Sequence, residues 1–441
     1  RGQGPINDYR HRAVGYSHRL CGICQYVCQL IDKKAAVEEI WGSIQKEKGR
    51  DAVEEKVHIR IPEMAGQIIE TIEEAGFEAY TVGGCVRDSI LGREPQDWDI
   101  TTSARPEQVK ALFPRCIDTG IQHGTVTVMM GREGFEVTTY RVDGKYEDGR
   151  HPKEVYFTPS LEEDLKRRDF TVNAMAYNPR QGLVDIFGGR EDMKAGVLRC
   201  VGDSRERFLE DALRIMRAVR FSAQLGYRIE EGTREGIRQL SENLRHISAE
   251  RIQAELVKLI CSPHPDFLRD AYELGVTRVF FPEFDKAMET PQEHPHHCFC
   301  VGEHILHSMK AVRADRVLRL AVLFHDLGKP QTLERDEGGI THFHGHAAVS
   351  AELAGKILKR LKFDNDTSAL VQKLVFYHDY GNACKPDMRA VRRAVNKIGT
   401  KAFPGLFEVK RADILAQSDY CRQEKLERLK CWQEMYDRVM E

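Results

Sequence analysis

The sequence contains no run of apolar residues long enough to span a bilayer and no signal-peptide pattern. Its twelve cysteines are scattered without the spacing of a disulfide framework, which is typical of proteins in reducing compartments. These absences exclude a membrane-spanning protein and a disulfide-stabilised scaffold. We therefore expect a cytoplasmic protein with no membrane partner.

The chain also lacks a strong net charge. Its 66 Lys and Arg residues nearly balance 68 Asp and Glu residues, which gives a formal net charge of -2. Overall attraction to nucleic acid is therefore excluded, and any nucleic-acid binding must come from a local basic surface. A length of 441 residues with 41% hydrophobic residues is sufficient for several folded domains.

The most informative stretch runs from Val82 to Thr102 and reads VGGCVRDSILGREPQDWDITT. It predicts a strand, a glycine turn, a short helix and a second strand that carries Asp97 and Asp99. Because successive side chains of a strand point to opposite faces, the two carboxylates lie on one side and Trp98 on the other. Such oxygen ligands suit two Mg²⁺ ions about 4 Å apart, one activating an attacking hydroxyl and the other neutralising a triphosphate.

The glycines that precede this carboxylate pair indicate a phosphate site. Gly83 and Gly84 follow an apolar run and let the backbone approach a ligand, while the next helix directs its N-terminal amides at phosphate. Arg87 would then bind a phosphate oxygen. The alternative is a surface turn followed by a solvated Asp-Trp-Asp loop, but the combination of glycine turn and D-x-D favours a catalytic site.

These residues resemble the signature of the nucleotidyltransferase superfamily, and specifically of the class II tRNA nucleotidyltransferase and poly(A) polymerase family. The resemblance implies an α/β nucleotidyltransferase head with a mixed or antiparallel sheet, followed by an all-α neck and an all-α HD domain. An N-terminal extension of uncertain role, the head, the neck and the HD domain are expected at residues 1–56, 57–190, 191–288 and 289–441.

Further elements of the predicted head follow from residue patterns. The sequence predicts a helix within Val57 to Gly76, a second helix from Arg105 to Phe113, and strands at Thr125 to Met130 and Phe135 to Tyr140. Glu136 lies on the last of these strands. By resemblance it is the candidate third catalytic carboxylate, whereas an exposed strand glutamate is the alternative interpretation.

The segment Leu165 to Tyr177, LKRRDFTVNAMAY, places Asp169 and Asn173 four residues apart on one face of a predicted helix. It resembles the family's RRDFT-x-N-A motif. The resemblance implies that Arg168 contacts the triphosphate and that Asp169 and Asn173 help to place the sugar and the hinge. A solvated basic face is the alternative for the arginines.

The predicted helix Phe208 to Phe221 carries regularly spaced polar side chains on one stripe. These are Asp211, Arg214, Arg217 and Arg220. Cytosine and adenine both present an amino donor beside a ring-nitrogen acceptor, whereas guanine and uracil present the reverse. An aspartate that accepts from the amino group and an arginine that donates to the ring nitrogen would therefore bind C and A. Against G and U, the same groups would be left unpaired.

The family uses its E-D-x-x-R motif in this way, and here the motif reads from Glu210 to Arg214. The resemblance therefore assigns base selection to Asp211 and Arg214. Arg217 and Arg220 match further nucleotide-binding arginines of the family, which are expected to contact phosphate.

Beyond residue 289, histidines become frequent and the run LAVLFHDLGKP resembles an HD domain, a helical metal-dependent phosphohydrolase fold. The resemblance gives a metal site of His304, His325, Asp326 and Asp413, which His346 and His378 would extend to two metals. Imidazoles and carboxylates together suit a transition metal such as Mn²⁺, Ni²⁺ or Fe²⁺. By resemblance, its substrates would be 2′,3′-cyclic phosphates or phosphate monoesters. A degenerate or structural metal centre is the alternative.

The first 56 residues carry no recognisable motif. Cys21, Cys24, Cys28, His11 and His18 would supply ligands for zinc, but no second Cys-x-x-Cys pair follows. Cysteines on the packed face of a helix are therefore the simpler interpretation.

Three further expectations concern a polar loop, a pair of charged residues and the C-terminal segment. The polar segment Val142 to Pro152 resembles the flexible loop that the family needs when it changes from adding C to adding A. Arg251 and Glu255, one helical turn apart, are expected to form a structural pair. The chain stops at Glu441 within a predicted charged helix, whereas the resemblance implies further helices that hold the tRNA elbow.

The resemblance therefore implies an enzyme that adds CCA to tRNA 3′ ends from CTP and ATP. Its partners are the tRNA 3′ end and the two nucleotides, and Mg²⁺ is the cofactor of the head. The tRNA 3′-hydroxyl would attack the α-phosphorus. Two alternatives remain, a poly(A) polymerase and an HD phosphohydrolase whose head senses nucleotide or RNA.

Overall fold

Residues 57–144, 155–381 and 386–441 are described by the computed structural model. A seven-stranded mixed sheet with helices packed on it forms the N-terminal part, and the rest of the described chain is almost entirely helical. The predicted fold class, an α/β head followed by a helical neck and a helical HD domain, is confirmed. Within these ranges no helix is both long and apolar enough to cross a membrane.

The sheet forms because short alternating segments rich in Val, Thr and Ile pair side by side. In chain order its strands are β1 (Ala79–Val82), β2 (Ile100–Thr102), β3 (Cys116–Gly120), β4 (Thr125–Met130), β5 (Glu133–Thr139), β8 (Ala176–Asn178) and β9 (Gly182–Val184). The remaining strands form small two-stranded sheets, and they are β6 (Arg141–Asp143), β7 (Val155–Phe157), β10 (Val197–Leu198), β11 (Arg228–Ile229), β12 (Glu334–Arg335) and β13 (Thr341–His342).

The large sheet has the strand order β3-β4-β5-β2-β1-β8-β9. β2 and β5 are parallel and the other neighbouring strands are antiparallel. The head helices are α1 (Glu63–Glu74), α2 (Gly84–Ile90), α3 (Pro106–Leu112), α4 (Leu161–Lys166) and α5 (Gly189–Ala195). Ile68, Ile69 and Ile72 share one face of α1 and pack against Ile100 and Val137 of the sheet, which fixes the core beneath the central strands.

The strand register places Asp99 and Glu136 on neighbouring segments in the middle of the sheet. The Val82 N–H donates to the Asp99 carbonyl at 3.0 Å, and Ile100 pairs with Val137. Asp99 therefore lies beside Val82, the last residue of β1, and Glu136 lies on β5, next to the residue that pairs with Ile100. The prediction that Asp97 and Asp99 belong to the second strand is wrong in detail, because regular pairing of β2 begins only at Ile100.

Two predicted helices are interrupted in the structure. The segment Leu165 to Tyr177 contains the end of α4, a short 3₁₀ turn at Thr171–Asn173 and the start of β8, so it is not a single helix. Asn173 nevertheless donates to Asp169, Nδ2 to Oδ1, at 3.3 Å. The 3₁₀ turn thus brings together the two side chains that the helix was expected to align.

The helix predicted from Phe208 to Phe221 breaks at Asp211, which has extended backbone angles of φ -143° and ψ 106°. The Asp211 carboxylate accepts the Leu213 N–H at 2.9 Å. Aspartate favours such a bond at the start of a helix, and it competes here with continuation of the preceding helix. Asp211 therefore lies at a corner between two helices.

The neck helices follow the head. They are α6 (Ser204–Glu210), α7 (Leu213–Leu225), α8 (Glu231–Leu240), α9 (Ala249–Ile260), α10 (Leu268–Glu273), α11 (Thr277–Phe280) and α12 (Pro282–Met288). The HD region comprises α13 (Val301–Ala311), α14 (Arg316–Phe324), α15 (His346–Arg360), α16 (Asn365–Tyr377), α17 (Met388–Ile398), α18 (Phe403–Ala416) and α19 (Arg422–Met440).

Two predictions concern residues that the structure does not describe. The proposed zinc ligands Cys21, Cys24, Cys28, His11 and His18 lie outside the described residues, as does most of the loop Val142 to Pro152. Both stay predictions.

Candidate active site and candidate metal centre

A cavity of about 1170 Å³ lies where the head meets the neck, and we call it the head cavity. Almost every nucleotide-site residue predicted from the sequence lines it. These residues are Gly84, Arg87, Asp97, Asp99, Arg168, Asp169, Asn173, Asp211, Arg214, Arg217 and Arg220. Glu136 does not line the head cavity. The volume is larger than that of typical small-molecule sites, about 300–1,000 Å³.

The glycine turn forms one wall of the head cavity. Gly83 has φ +80°, a conformation that side-chain-bearing residues rarely adopt, and α2 begins at Gly84. A Cβ at Gly83 would lie 3.2 Å from Arg168 Nη1 and 3.6 Å from the Asn173 carbonyl oxygen. The turn therefore requires glycine both for its backbone and for the close approach of Arg168.

The carboxylates at this wall repel one another. Burial raises the pKa of Asp99, and the negative charges of Glu136 and Asp97 raise it further, whereas Arg168 lowers it. The Asp99 side chain still reaches solvent at the cavity wall. In the part of the chain that the structure describes, Asp97, Asp99 and Glu136 are not among the groups whose ligand atoms all lie within 4.8 Å of one another.

A chain of hydrogen bonds links the glycine turn to α7. Arg87 donates to Asn173, Nη1 to Oδ1, at 2.5 Å, and Asn173 donates to Asp169. The other Asp169 oxygen accepts from Arg217 Nε at 2.7 Å. Burial opposes ionisation of Asp169, but Arg217 and Arg214 outweigh it and hold the pKa of Asp169 below its usual value. The head side of the cavity is thus bonded directly to the neck side.

The proposed base-selecting residues are held by protein partners. Asp211 Oδ2 accepts from Arg251 Nη2 at 2.7 Å. Arg214 donates to Glu210 and, through Nη2, to the Arg167 carbonyl at 3.0 Å. Both side chains line the head cavity at the corner between α6 and α7.

Arg220 has a buried partner. Its Nε lies 2.6 Å from Glu255 Oε2, and its guanidinium lies over the Phe221 ring at 3.6 Å from the centroid. The expectation that Arg251 and Glu255 pair with each other is wrong. Arg251 reaches Asp211 and Glu255 reaches Arg220, because both side chains of α9 point across to the α6–α7 region rather than along their own helix.

A second cluster lies in the HD region, where all the predicted metal ligands converge. We call the six side chains His304, His325, Asp326, His346, His378 and Asp413 the HD centre. Its two sets of ligand atoms lying within 4.8 Å of one another are His304–His325–Asp326 and Asp326–His346–His378. Asp326 belongs to both sets.

The Asp326 carboxylate lies between the two sets. Its Oδ2 is 3.4 Å from His304 Nε2 and 3.2 Å from His325 Nε2. Its Oδ1 is 3.4 Å from His346 Nε2 and 3.7 Å from His378 Nε2. Asp413 Oδ1 lies 2.9 Å from His304 Nε2. One carboxylate thus faces two pairs of imidazoles.

The opposite ring nitrogens of these histidines face backbone carbonyls. The Nδ1 atoms of His325, His346 and His378 lie 2.7, 2.8 and 2.7 Å from the carbonyl oxygens three residues earlier. An Nδ1–H that donates to a carbonyl leaves Nε2 as an acceptor, which is the usual arrangement of metal-binding histidines. The donor set therefore fits one or two divalent metal ions.

Other side chains at the HD centre were not predicted from the sequence. Asp379 Oδ2 lies 3.1 Å from His346 Nε2, and Lys329 Nζ lies 2.7 Å from Asp326 Oδ2. His378 and Asp379 repeat the adjacent His-Asp pair of His325 and Asp326, so a search for a second such pair could have found Asp379. No local pattern marks Lys329 apart from its position three residues after Asp326.

Family models match three successive parts of the chain. They are the poly A polymerase head domain at residues 79–199, the probable RNA and SrmB-binding site of polymerase A at residues 226–288, and the HD domain at residues 292–416.

Curated relatives are similar over part of their length. A CCA-adding enzyme of Lactobacillus helveticus is 53% identical over 231 residues, which are 52% of this chain and 57% of that protein. A CCA-adding enzyme of Leuconostoc mesenteroides is 55% identical over 196 residues, which are 44% of this chain and 49% of that protein. The chain thus spans about half the length of these relatives.

A solved structure is similar over a longer range. The crystal structure of the Bacillus stearothermophilus CCA-adding enzyme in complex with CTP has 31% sequence identity and a TM-score of 0.60. The match covers 85% of this chain and 81% of that chain.

Proposed function

This chain belongs to the family of CCA-adding enzymes, and we propose that it adds CCA to tRNA 3′ ends from CTP and ATP without a nucleic-acid template. One observation carries the proposal. The glycine turn, the carboxylates Asp97 and Asp99, and the base-selecting pair Asp211 and Arg214 all line the head cavity. The likeness of this chain to a solved CCA-adding enzyme in complex with CTP supports the same conclusion.

We propose that Asp97 and Asp99 hold Mg²⁺, with Glu136 as a third carboxylate nearby. Burial and the negative charges of Glu136 and Asp97 raise the pKa of Asp99, which favours this interpretation, since a divalent cation would relieve the repulsion. When bound, Mg²⁺ would activate the tRNA 3′-hydroxyl and neutralise charge on the triphosphate.

The phosphate side of the site is assigned to Gly84, Arg87 and Arg168. The α2 N-terminus at Gly84 presents backbone amides, and the two guanidiniums lie beside the turn. Asp169 and Asn173 place the sugar, and Asp169 connects the head to the neck through its bond to Arg217.

Base selection is assigned to Asp211 and Arg214. An amino group of C or A would share or replace the bond from Arg251 to Asp211, and Arg214 would donate to the base ring nitrogen. Arg217 and Arg220 both line the head cavity, and we propose that both contact phosphate. Arg220 is also bonded to the buried Glu255 carboxylate, which holds its side chain in place.

A second activity is proposed at the HD centre, because its imidazoles and carboxylates converge with Asp326 shared between two sets. The centre would hold a transition metal such as Mn²⁺, Ni²⁺ or Fe²⁺. It would hydrolyse phosphate monoesters or 2′,3′-cyclic phosphates. Replacement of His325 by alanine should abolish this hydrolysis and lower the bound metal, measured by elemental analysis, without changing nucleotide addition.

The domain boundaries and the location are part of the proposal. We assign residues 57–190 to the head, 191–288 to the neck and 289–441 to the HD domain, close to the three matched family ranges. We also propose that the protein works in the cytoplasm.

The proposed transfer is tested by pyrophosphate release. With Mg²⁺, CTP and tRNA that lacks its terminal CCA, the protein should release pyrophosphate, and Asp99→Asn should slow this release about a hundredfold or more. Equal rates for the two proteins would contradict the assignment of Asp99. Absence of release from the unmodified protein would contradict the proposed activity.

A further inference from the structure

A cavity of about 390 Å³ lies beside the HD centre, and we call it the HD cavity. Asp413 forms part of its wall and also bonds to His304, Oδ1 to Nε2, at 2.9 Å. The ring of His297, another wall residue, lies 5.6 Å from the His304 ring between centroids. The HD cavity therefore begins at the ligand side chains of the centre and extends toward α19.

The walls of the HD cavity carry more positive than negative groups. Lys410, Lys425 and Arg428 line it, whereas Asp413 and Glu424 are its acidic residues. Asp413 is already bonded to His304 and to Gln417. Lys410 Nζ is likewise bonded, to the carbonyl oxygens of His378 and Tyr380 at 2.9 Å each. The positive charges of Lys425 and Arg428 therefore make the α19 side of the HD cavity the favourable position for an anion.

The two cations of α19 share one face of the helix. Lys425 and Arg428 are three residues apart, a spacing that brings like charges close enough to repel. Two hydrogen bonds hold the Lys425 side chain in place. Its Nζ bonds to His296 Nδ1 at 3.0 Å and to Gln417 Oε1 at 2.5 Å. An anionic group between the two cations would offset their repulsion.

Trp432 also lines the HD cavity and is only 6% exposed. Its indole ring gives the HD cavity an aromatic wall, against which the base of a nucleotide can pack.

The size of the HD cavity limits its ligand. Its volume lies at the lower end of the range for small-molecule sites, about 300–1,000 Å³. It accommodates a group of nucleotide size and not an RNA helix. A substrate whose reacting phosphate lies at the HD centre could place a second anionic group between Lys425 and Arg428.

We propose that the HD cavity binds a second phosphate of the HD substrate, so that the centre prefers a nucleotide carrying two phosphates. This inference rests on the hydrolytic function proposed above. In the reaction, a water oxygen bonds to the phosphorus of the phosphate monoester at the HD centre, and the ester P–O bond of that phosphate breaks. The nucleotide oxygen leaves as a hydroxyl after taking a proton from the water, and inorganic phosphate is released.

The test compares adenosine 3′,5′-bisphosphate with adenosine 3′-monophosphate as substrates of the metal-loaded full chain. The bisphosphate should have the higher kcat/KM by about tenfold or more, as expected for charge-assisted hydrogen bonds. The double variant Lys425→Gln and Arg428→Gln should remove this preference and leave hydrolysis of the monophosphate unchanged. An unchanged preference in the variant would overturn the proposal.

A matched control removes two charges from the same helix outside the HD cavity. Lys430 and Arg438 are exposed on α19 and do not line the HD cavity, so Lys430→Gln and Arg438→Gln should keep the preference. Loss of the preference in this control as well would show a nonspecific charge effect and would also overturn the proposal.

Binding separates this inference from the hydrolytic function. With the head saturated by CTP, calorimetric titration of adenosine 3′,5′-bisphosphate should show a site that is weakened about tenfold in the Lys425 and Arg428 variant. If neither substrate is hydrolysed, the hydrolytic function fails and this titration alone decides the cavity assignment. Equal binding by the unmodified protein and the variant would refute it.

Discussion

Single charges determine the chemistry of the head cavity. Burial raises the pKa of Asp99, the negative charges of Glu136 and Asp97 raise it further, and Arg168 provides only partial compensation. Such crowding costs stability in the absence of a cation. The same crowding makes the position suitable for a divalent ion, so stability and function oppose each other here.

Replacement of Asp99 by asparagine should therefore stabilise the metal-free protein at neutral pH. The pKa of Asp99 is raised, so the folded protein holds this proton more tightly than the unfolded chain does. Ionisation of Asp99 therefore lowers the stability of the unmodified protein as the pH rises through the ordinary carboxyl range. This loss of stability is absent below about pH 3.9. In EDTA at pH 7, Asp99→Asn should have the higher Tm, and the difference should vanish at acidic pH.

Mg²⁺ should reverse this order, because it stabilises only a protein that can bind it. The Tm of the unmodified protein should rise with Mg²⁺, and that of Asp99→Asn should not. Asp118→Asn is the control, since Asp118 is an exposed carboxylate of the same sheet paired with Lys110. It should respond to Mg²⁺ like the unmodified protein. A Tm of Asp99→Asn that rises equally with Mg²⁺ contradicts the metal assignment.

Gly83 offers a second test at the residue scale. Gly83→Ala imposes strain at φ +80° and places a methyl group 3.2 Å from Arg168 Nη1, so it should lower stability by about 1 kcal/mol or more and raise the KM for CTP. Gly76→Ala has comparable strain at φ +86° but no atom within 4 Å of the new Cβ. It should destabilise the protein without changing the KM, and similar KM values for both variants would contradict the role of Arg168.

The sequence predicted that residues of one local pattern would lie at a common site. Gly83, Arg87 and Asp99 lie within one short stretch, and the structure places them around the head cavity as expected. Partners contributed by distant segments were missed or wrongly paired. Arg251 reaches Asp211, and Glu255 reaches Arg220, only because α9 packs against α7, which no spacing within α9 reveals.

Among the elements, α7 packs against α9 and supports the corner that carries the proposed base-selecting residues. The bond from Arg220 to Glu255 joins the two helices at the wall of the head cavity. The break between α6 and α7 places Asp211 at the corner, where its two oxygens accept from Leu213 and Arg251. The helical period in the sequence did not predict this break, because the stop depends on one aspartate that bonds to the backbone.

Glu255→Gln should destabilise the protein by about 3–5 kcal/mol, since it leaves the buried Arg220 guanidinium without its carboxylate. Chemical denaturation measures this loss as a lower free energy of unfolding. Glu250→Gln is the control on the same helix, because Glu250 is exposed and an exposed acidic side chain contributes little to the free energy of unfolding. An equal loss in both variants would indicate that the Arg220 pair has no special role.

At the scale of the whole molecule, the head cavity and the HD centre use different ligand chemistry. The head presents carboxylates beside a glycine turn, and the HD centre presents imidazoles around Asp326. The fold class followed from the sequence because each region has its own motif. The convergence of six HD side chains from five separate segments could be expected only by resemblance, since their distances depend on tertiary packing.

The two centres should therefore respond independently to metals. After treatment with a chelator, Mg²⁺ should restore nucleotide addition, while hydrolysis at the HD centre should require Mn²⁺, Ni²⁺ or Fe²⁺. His325→Ala should lose only the second activity, and Asp99→Asn only the first. Loss of both activities in either single variant would contradict independent centres.

The most direct measurement of the central proposal is to sequence the products formed on tRNA that lacks its terminal CCA, with Mg²⁺ and all four nucleotides present. The unmodified protein should add C, C and A and then stop. Arg214→Ala should lose this selectivity or the activity, because Arg214 is proposed to read the base. A run of A residues, incorporation of G or U by the unmodified protein, or no addition at all would contradict the account.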